Sequence, residues 1–420
     1  VFVFVDEIAI HIVSAAAWER LLLDWRGNTK PRMYMPGCED RTIERMERDG
    51  ESILVLNAGS SSIKFAVFSG NAQEPPRRAL SDAVSGVETP QAAIAQVLDA
   101  IAARGLQRFA AVGHRIVHGG PKHFQPQRID AALLDDLRQI VDFAPEHLPQ
   151  AIALIQAIGN RFGDTVQVAC FDTGFFRDLP AVSRRLPLPR KLESIGVRRY
   201  GFHGLSYEYL MRELERIGRP GEAHARVILA HLGNGASLAA VLGGKPIDTT
   251  MGMTPAGGLV MSTRSGDIDP GIVQFLERRQ RLSPEQFHRM VNHESGLLGV
   301  SQSSGDIRKL VESSANDARA AEAVEMFCYS ARKWIGAFAA ALGGLDTLVF
   351  AGGIGEHQPI VRRRICQELG FLGIALEAKR NEQNGPIISS EGSPVTVRVI
   401  PTDEESSILR GVLSVLPGKP

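Results

Sequence analysis

With 420 residues, 44% of them apolar types, the chain can bury a sizeable core and favours two or three structural units over one. Its 47 Lys and Arg balance 47 Asp and Glu. That balance removes any overall electrostatic case for nucleic acid or an anionic membrane surface, while leaving room for a local arginine cluster in a cleft. Four cysteines (Cys38, Cys170, Cys328, Cys366) lie far apart without CxxC spacing, which points to a reduced, cytoplasmic protein without structural zinc or disulfides.

Residues 1–50 read differently from the rest. The apolar stretch 8–18 is interrupted by His11 and follows Asp6 and Glu7, so it fits neither a signal peptide nor a membrane span. Residues 26–50 are polar and broken by Pro31, Pro36 and Gly37. The segment is expected to be an appendage outside the fold, with Met46 a candidate natural start.

Residues 53–68, ILVLNAGSSSIKFAVF, pass from an apolar run through a small-residue bend into an alternating strand, the pattern of a β-hairpin. A bend without bulky side chains leaves backbone N–H groups free to face an anion, and its hydroxyls and Lys64 add donors. One such bend alone is also what an ordinary serine-rich turn looks like. After a loop over 73–78, Thr89 or Glu88 can cap a helix from Pro90 that carries Ile94, Val97, Leu98 and Ile101 on one face. A strand at 110–112 delivers GHRIVHGG, where Arg115 either contacts an anion or forms a structural salt bridge. Helices follow at 130–141 and 145–162, and the strand 166–171 ends in FDTGF, which leaves Asp172 as a helix cap or a catalyst. RRYGFHG (198–204) puts His203 before a helix starting near Ser206; a buried, satisfied histidine is the alternative there.

Residues 227–243, VILAHLGNGASLAAVLG, repeat the strand, small-residue bend and strand. The repeat predicts two similar halves facing each other across a cleft, each with a phosphate-binding hairpin. The stretch 248–272, with Arg264, Asp267 and Asp269, is too polar for a core and reads as a ligand-wrapping loop. Helices are expected at 270–279, at 284–291, after SGDIR (304–308) and over 316–342. A strand at 345–350 runs into AGGIGEH, a glycine turn before a helix at 362–369, like a nucleotide loop but without the GK[ST] ending of a P-loop. A last strand, 395–400, leads to PTDEES, where Glu404 and Glu405 open a terminal helix as caps or as a water-mediated magnesium contact.

Two phosphate hairpins, a glycine loop, two arginines, a histidine and carboxylates form an inventory suited to phosphoryl transfer. LNAGSSSIKF, GHRIVHGG, FDTGF, RRYGFHG, HLGNGAS, TRSGDIDP, GGIGE and IPTDEE occur in the order and approximate spacing of the acetate kinase family. From about residue 53 to 413 the chain resembles that family, within the actin, Hsp70 and sugar-kinase superfamily. The resemblance implies an α/β fold of two ribonuclease H-like (actin-like ATPase) lobes with an interlobe cleft, the first 51–198 plus 404–420 and the second 199–403, usually as a homodimer.

It also implies ATP, Mg2+ (or Mn2+) and acetate or another short-chain acid, with direct attack of a carboxylate oxygen on the γ-phosphate to give an acyl phosphate and ADP. Asn57, Ser60, Ser62 and Lys64 would serve the phosphate and metal site, with Glu404 also holding metal. Arg115 and Arg264 would grip the carboxylate and the moving phosphoryl group, His203 would donate to that group, and Asp172 would orient an arginine and metal-bound water. His231, Asn234 and Gly235 would line the ATP phosphates, with Asp306, Arg308, Gly353 and Gly355 bordering adenosine.

The implied acyl pocket comprises Val117, Phe202 and Pro255, but its fourth wall, typically leucine, is Glu146 here. A buried carboxylate beside the substrate's own would be unfavourable, so Glu146 turns to solvent, pairs with a cation, or shifts the acyl preference. Ser262 stands where the family usually has glycine, and Leu205 and Tyr207 where it has threonine and histidine. Competing readings are a propionate or butyrate kinase and a non-catalytic actin- or Hsp70-like ATP-binding module; a sugar kinase has no use for two arginines facing a carboxylate.

Overall fold

The computed structural model describes residues 52–416 except 60, 61, 71–75, 87, 88 and 107, so the expected appendage and Ser60 lie outside the described residues. Two sheets share one topology. In the first, β1 (Ile53–Ala58), β2 (Ser62–Ser69) and β3 (Arg77–Ser85) pair antiparallel, and β4 (Ala111–Ile116) joins β1 in parallel. β6 (Val166–Phe171) then joins β4 in parallel, with the short β5 (Gln127–Arg128) at the edge, giving the order β3-β2-β1-β4-β6-β5. The second sheet comprises β7 (Arg226–Leu232), β8 (Ala236–Leu242), β9 (Lys245–Thr249), β10 (Thr347–Ala351) and β11 (Thr396–Val399). Its order, β9-β8-β7-β10-β11, repeats two antiparallel pairings followed by two parallel ones. The two hairpins legible in the sequence therefore open the two halves.

Near-continuous apolar runs mark strands covered on both faces. In β7, Val227 and Leu229 pack with Tyr207, Leu210 and Leu214 of the helix Gly204–Ile217, while Ile228, Ala230 and Leu232 share a cluster with Phe327, Ile335 and Phe338 of the helix Ala318–Leu342. Each such side chain contributes ~1.5–3 kcal/mol on burial. In the first sheet, Ala169 and Phe171 meet Leu148, Ile152 and Ile155 of the helix Leu148–Phe162. The other face, with Ile53, Val55, Val168 and Cys170, is covered by Ile408 and Val412 of the terminal helix Glu404–Val415. A Cβ on Gly113 of β4 would fall 2.6 Å from both Ile408 Cγ2 and Val412 Cγ2, so this helix rests directly on the strand backbone. The chain thus leaves β11 in the second sheet and, after residues 400–403, closes the first.

Three local expectations are corrected. Residues 77–85 form β3 where a loop is expected up to 78; the strand is polar and mostly exposed, so no apolar alternation marks it. The glycines after β10 are not a turn before a helix at 362–369: Gly352–His357 is itself helical, and Pro359 starts the next helix, Pro359–Cys366. The helix expected from 145 begins at Leu148, because residues 144–147 make a turn with His147 N–H donating to the Ala144 carbonyl. Among the described residues no helix is long and apolar enough to cross a membrane.

Two histidines sit inside the first lobe. His114 shares a 2.7 Å hydrogen bond with Gln167, and the His118 ring packs edge-on against Tyr200, Phe143 and Phe202. Burial pulls both down from 6.5 to about 4. Between those values the unfolded chain binds more protons than the folded one, so stability rises with pH there and is lost as pH falls. Each histidine contributes on the order of 3 kcal/mol to that loss. The urea midpoint is expected to fall between pH 7 and pH 5, above the range where carboxylates titrate; a flat midpoint would contradict this account.

Candidate active site

Parallel pairing of β1, β4 and β6 brings their carboxyl ends together, where ligand clefts of α/β sheets form. Asn57 closes β1, Arg115 lies near the end of β4, and Asp172 follows β6. Arg115 Nη2 donates to Asp172 Oδ2 at 2.7 Å, and Nη1 donates to Asn57 Oδ1 at 3.3 Å. Asn57 Nδ2 donates to Glu404 Oε2 at 2.8 Å and Glu405 Oε1 at 2.9 Å. Burial works against both charges. Nevertheless Asp172 and Glu404 hold the Arg115 guanidinium above its ordinary value, and Arg115, His231 and the Asn57 hydrogen bond hold Glu404 below the carboxylate range. Lys64, exposed, faces Asn57 across the hairpin and adds its charge near Glu404. Among the described residues Arg115 Nε and Asp172 Oδ1 are buried without a hydrogen-bond partner.

The second half supplies the opposite wall. His203 adopts φ 61°, a left-handed conformation uncommon for a residue with a side chain, and its N–H donates to Asp172 Oδ2 at 3.2 Å. Its ring stacks on His231 at 4.3 Å, and Nδ1 lies 2.9 Å from Ser237 Oγ. His231 Nδ1 lies 2.8 Å from Ser206 Oγ, which reaches Thr402 Oγ1 at 2.7 Å. Burial pulls His203 well below 6.5, and His231, Arg115 and Arg264 push the same way, so the imidazole is neutral at pH 7.

Arg264 comes from the irregular stretch between β9 and the helix Gly271–Gln280. Its neighbours are strapped to the helix Pro284–His293: Thr263 Oγ1 donates to the Asn292 carbonyl at 2.8 Å, and Ser265 N–H to that of Val291 at 2.9 Å. Arg264 Nη1 donates to the Pro255 carbonyl at 3.2 Å. Burial and Arg115 lower its proton affinity, and Glu146 opposes them. The bend of the second hairpin closes through Gly233 N–H donating to the Gly235 carbonyl at 3.0 Å. A Cβ on Gly235 would lie 3.2 Å from His203 Nε2 and 3.5 Å from Arg264 Nη1, which locates the bend, the imidazole and the guanidinium together. Ser262 braces Asn234, donating from N–H to its carbonyl at 3.1 Å and from Oγ to Oδ1 at 3.3 Å.

Val117 and Phe202 are buried in one apolar cluster, and Pro255 lies beside Arg264. Glu146 does not form a buried acidic wall. It is half-exposed, 3.3 Å from His288 Nε2 and 3.1 Å from His293 Nε2, and although burial raises its pKa those hydrogen bonds hold it below the carboxylate range. Its carboxylate is thus held by two histidine side chains and not left unpaired. Asp306 and Arg308 pair with each other at 2.7 Å where Asp306 caps the helix Ile307–Ser313. At the glycine run, Gly352 (φ 75°) makes the close approach, its notional Cβ 2.7 Å from the Leu232 carbonyl; Gly353 borders open space, and Gly355 packs near Phe350 and Ala230. Asn57 turns its amide nitrogen, not its oxygen, toward Glu404.

Sequence reasoning passed over His147. Its imidazole is pulled down to about 4 by burial and by the charges of Arg264 and Arg115; its position next to Glu146 in the sequence was the available signal. Among the described residues no three His, Cys, Asp or Glu side chains are arranged to hold a metal directly. The donors at Glu404 are hard oxygens, however, and suit Mg2+, which keeps several waters and takes one or two carboxylates.

The family described as the Acetokinase family matches residues 84–410. The chain belongs to that family. An acetate kinase of Rhodopseudomonas palustris (strain TIE-1) is 39% identical over 394 residues, covering 87% of this chain and 98% of the relative. One from Nitrobacter hamburgensis is 41% identical over 392 residues, covering 87% and 96%. Among solved structures, the acetate kinase of Porphyromonas gingivalis aligns with a TM-score of 0.75 at 35% identity, covering 87% of this chain and all of that one. A propionate kinase from Francisella tularensis aligns at 0.78 and 32% identity, with the same coverage. The acetokinase fold is thus the fold of this chain, with the two expected lobes.

The convergence at Gly235 is testable. Gly235→Ala intrudes between His203 and Arg264 without requiring a forbidden backbone, and a misplacement of about 1 Å at such a point costs on the order of 100-fold in turnover. Turnover near the unsubstituted level, with an unchanged melting temperature, would remove this convergence from the catalytic geometry.

Proposed function

We propose that the protein is an acetate kinase, transferring the γ-phosphoryl group of ATP reversibly and in line to acetate, with Arg115 and Arg264 converging from the two lobes on the reacting oxygens. Supporting the reading is that the bend of the second hairpin at Gly235 lies beside His203 Nε2 and Arg264 Nη1, while Arg115 lowers the proton affinity of both side chains. A short-chain carboxylic acid is already ionised at neutral pH, so the nucleophile needs no general base. The protein's task is to align two anions and offset their repulsion. Arg264, desolvated and pushed by Arg115, gains most from an anion, and its hydrogen bonds to the Pro255 carbonyl and Met261 sulfur leave donors to spare. Arg115 is fixed by Asp172, and its buried Nε remains as a further donor. His203 donates from Nε2 to the transferring group as a neutral imidazole.

Asn57, Lys64, His231, Asn234 and Gly235 follow the ATP phosphates along the two bends, and Asp306, Arg308, Gly353 and Gly355 border the adenosine. Glu404 would hold Mg2+ (or Mn2+), its carboxylate oriented by the Asn57 amide nitrogen. When bound, the metal neutralises charge on the β- and γ-phosphate oxygens. The lobes are assigned as residues 51–198 with 404–420, and 199–403. A homodimer is supported by the helix Gly271–Gln280, which buries none of its residues and exposes Ile272, Val273 and Phe275. Free, buried Cys170, Cys328 and Cys366 fit a cytoplasmic setting.

A hydroxamate trap for acyl phosphate, run with ATP, magnesium and acetate, propionate or butyrate, tests the reading. Product is expected with acetate, and Arg264→Ala should lose about 3 kcal/mol of transition-state stabilisation, more than 100-fold in kcat/KM. Slow ATP hydrolysis indifferent to acids would instead indicate a nucleotide-binding module. With the Glu146 carboxylate held by His288 and His293, Glu146→Leu should leave the order of kcat/KM among the three acids unchanged. A reordered series would restore Glu146 as a wall of the acyl site.

A further inference from the structure

The helix Gly204–Ile217 begins immediately after His203, and Tyr207 N–H donates to the His203 carbonyl at 3.0 Å, so the two residues lie one turn apart. Both reach β8. The Tyr207 hydroxyl oxygen lies 2.5 Å from Ser237 Oγ, which in turn lies 2.9 Å from His203 Nδ1. Tyr207 and Ser237 are fully buried. We propose that Tyr207, acting through Ser237, is the positioning residue that fixes the tautomer of His203, so that the imidazole presents Nε2–H to the transferring phosphoryl group.

Counting protons gives the direction of the chain. The phenol keeps its proton, since burial pushes its pKa up, and among the described residues Ser237 Oγ is the hydrogen-bond partner available to receive it. Ser237, accepting from Tyr207, directs its own single proton to its other partner, His203 Nδ1. A neutral imidazole that accepts at Nδ1 carries its proton on Nε2. That is the nitrogen beside Gly235 and the Arg264 guanidinium. The reverse chain, from Nδ1–H through Ser237 to the Tyr207 oxygen, strands a buried phenol proton without an acceptor.

The relay has something to oppose. Left to the field of Arg115 and Arg264, a neutral imidazole would turn its lone pair, not its N–H, toward the guanidiniums. An acceptor aimed at the phosphoryl oxygens would repel them. The Tyr207 hydroxyl supplies the contrary bias from the far side of the ring. It stands where the family resemblance gives a histidine, which can donate one proton to Ser237 in the same way.

This inference rests on the carboxylate-kinase reading only for its kinetic arm. In protein labelled with 15N at histidine, with the His203 signals identified by their loss in His203→Gln, the full-length enzyme is expected to show the Nε2–H tautomer at His203. Tyr207→Phe should shift it toward Nδ1–H and lower kcat about 10- to 100-fold, with KM for ATP and for the acid within about threefold, as for loss of one transition-state donor. Tyr207→His should restore both. An Nδ1–H tautomer in the unsubstituted enzyme, or an unchanged tautomer and kcat in Tyr207→Phe, overturns the proposal. The first of these needs no variant to fold. Absence of acyl phosphate from the unsubstituted enzyme would count against the functional reading, and the tautomer would still decide the relay.

Discussion

One carboxylate oxygen joins the two halves of this molecule. Asp172 Oδ2 accepts from the Arg115 guanidinium on β4 of the first sheet and from the backbone N–H of His203, which opens the helix Gly204–Ile217 packed on the second sheet. Without that anion Arg115 would lose its direct ion-pair partner in a buried site, and His203 would lose a hydrogen bond to its left-handed backbone. Asp172 is wholly buried at the end of a strand covered on both faces, so its position is set by the packing of β6 and not by solvent. The precision of the site is therefore inherited from the sheet.

The resting site is electrostatically strained. Two guanidiniums push on each other, and three histidines, His147, His203 and His231, stay neutral because burial and those cations leave no room for another positive charge. Such an arrangement is poor company for itself and good company for anions. The energy that would be spent orienting solvent around a pentacoordinate phosphoryl group has been set aside during folding, by burying Arg115 against Asp172 and Arg264 against the Pro255 carbonyl.

Much of this was legible along the chain. The paired hairpins stood out because a buried strand, a glycine and serine bend and another buried strand occur twice, and each pair lies in a sheet of the same strand arrangement. β3 was hidden, since an exposed edge strand carries polar residues at both alternating positions. The environment of Glu146 was open for a different reason. Its partners, His288 and His293, are more than 140 positions away, and nothing local announces a pairing of that range. The same holds for His147, whose low proton affinity comes from burial and then from two arginines delivered by a strand and a loop far along the chain. Tyr207 could be noted as a departure from the family pattern, but its meaning required the distance to Ser237.

The last helix of the chain seals the first sheet that is made. During synthesis Ile53, Val55, Val168 and Cys170 emerge hundreds of residues before Ile408 and Val412, so one apolar face of the first sheet stays bare until the helix Glu404–Val415 has emerged. The nascent chain thus carries a prolonged sticky surface, and loss of the helix Glu404–Val415 would leave that face of the first sheet open.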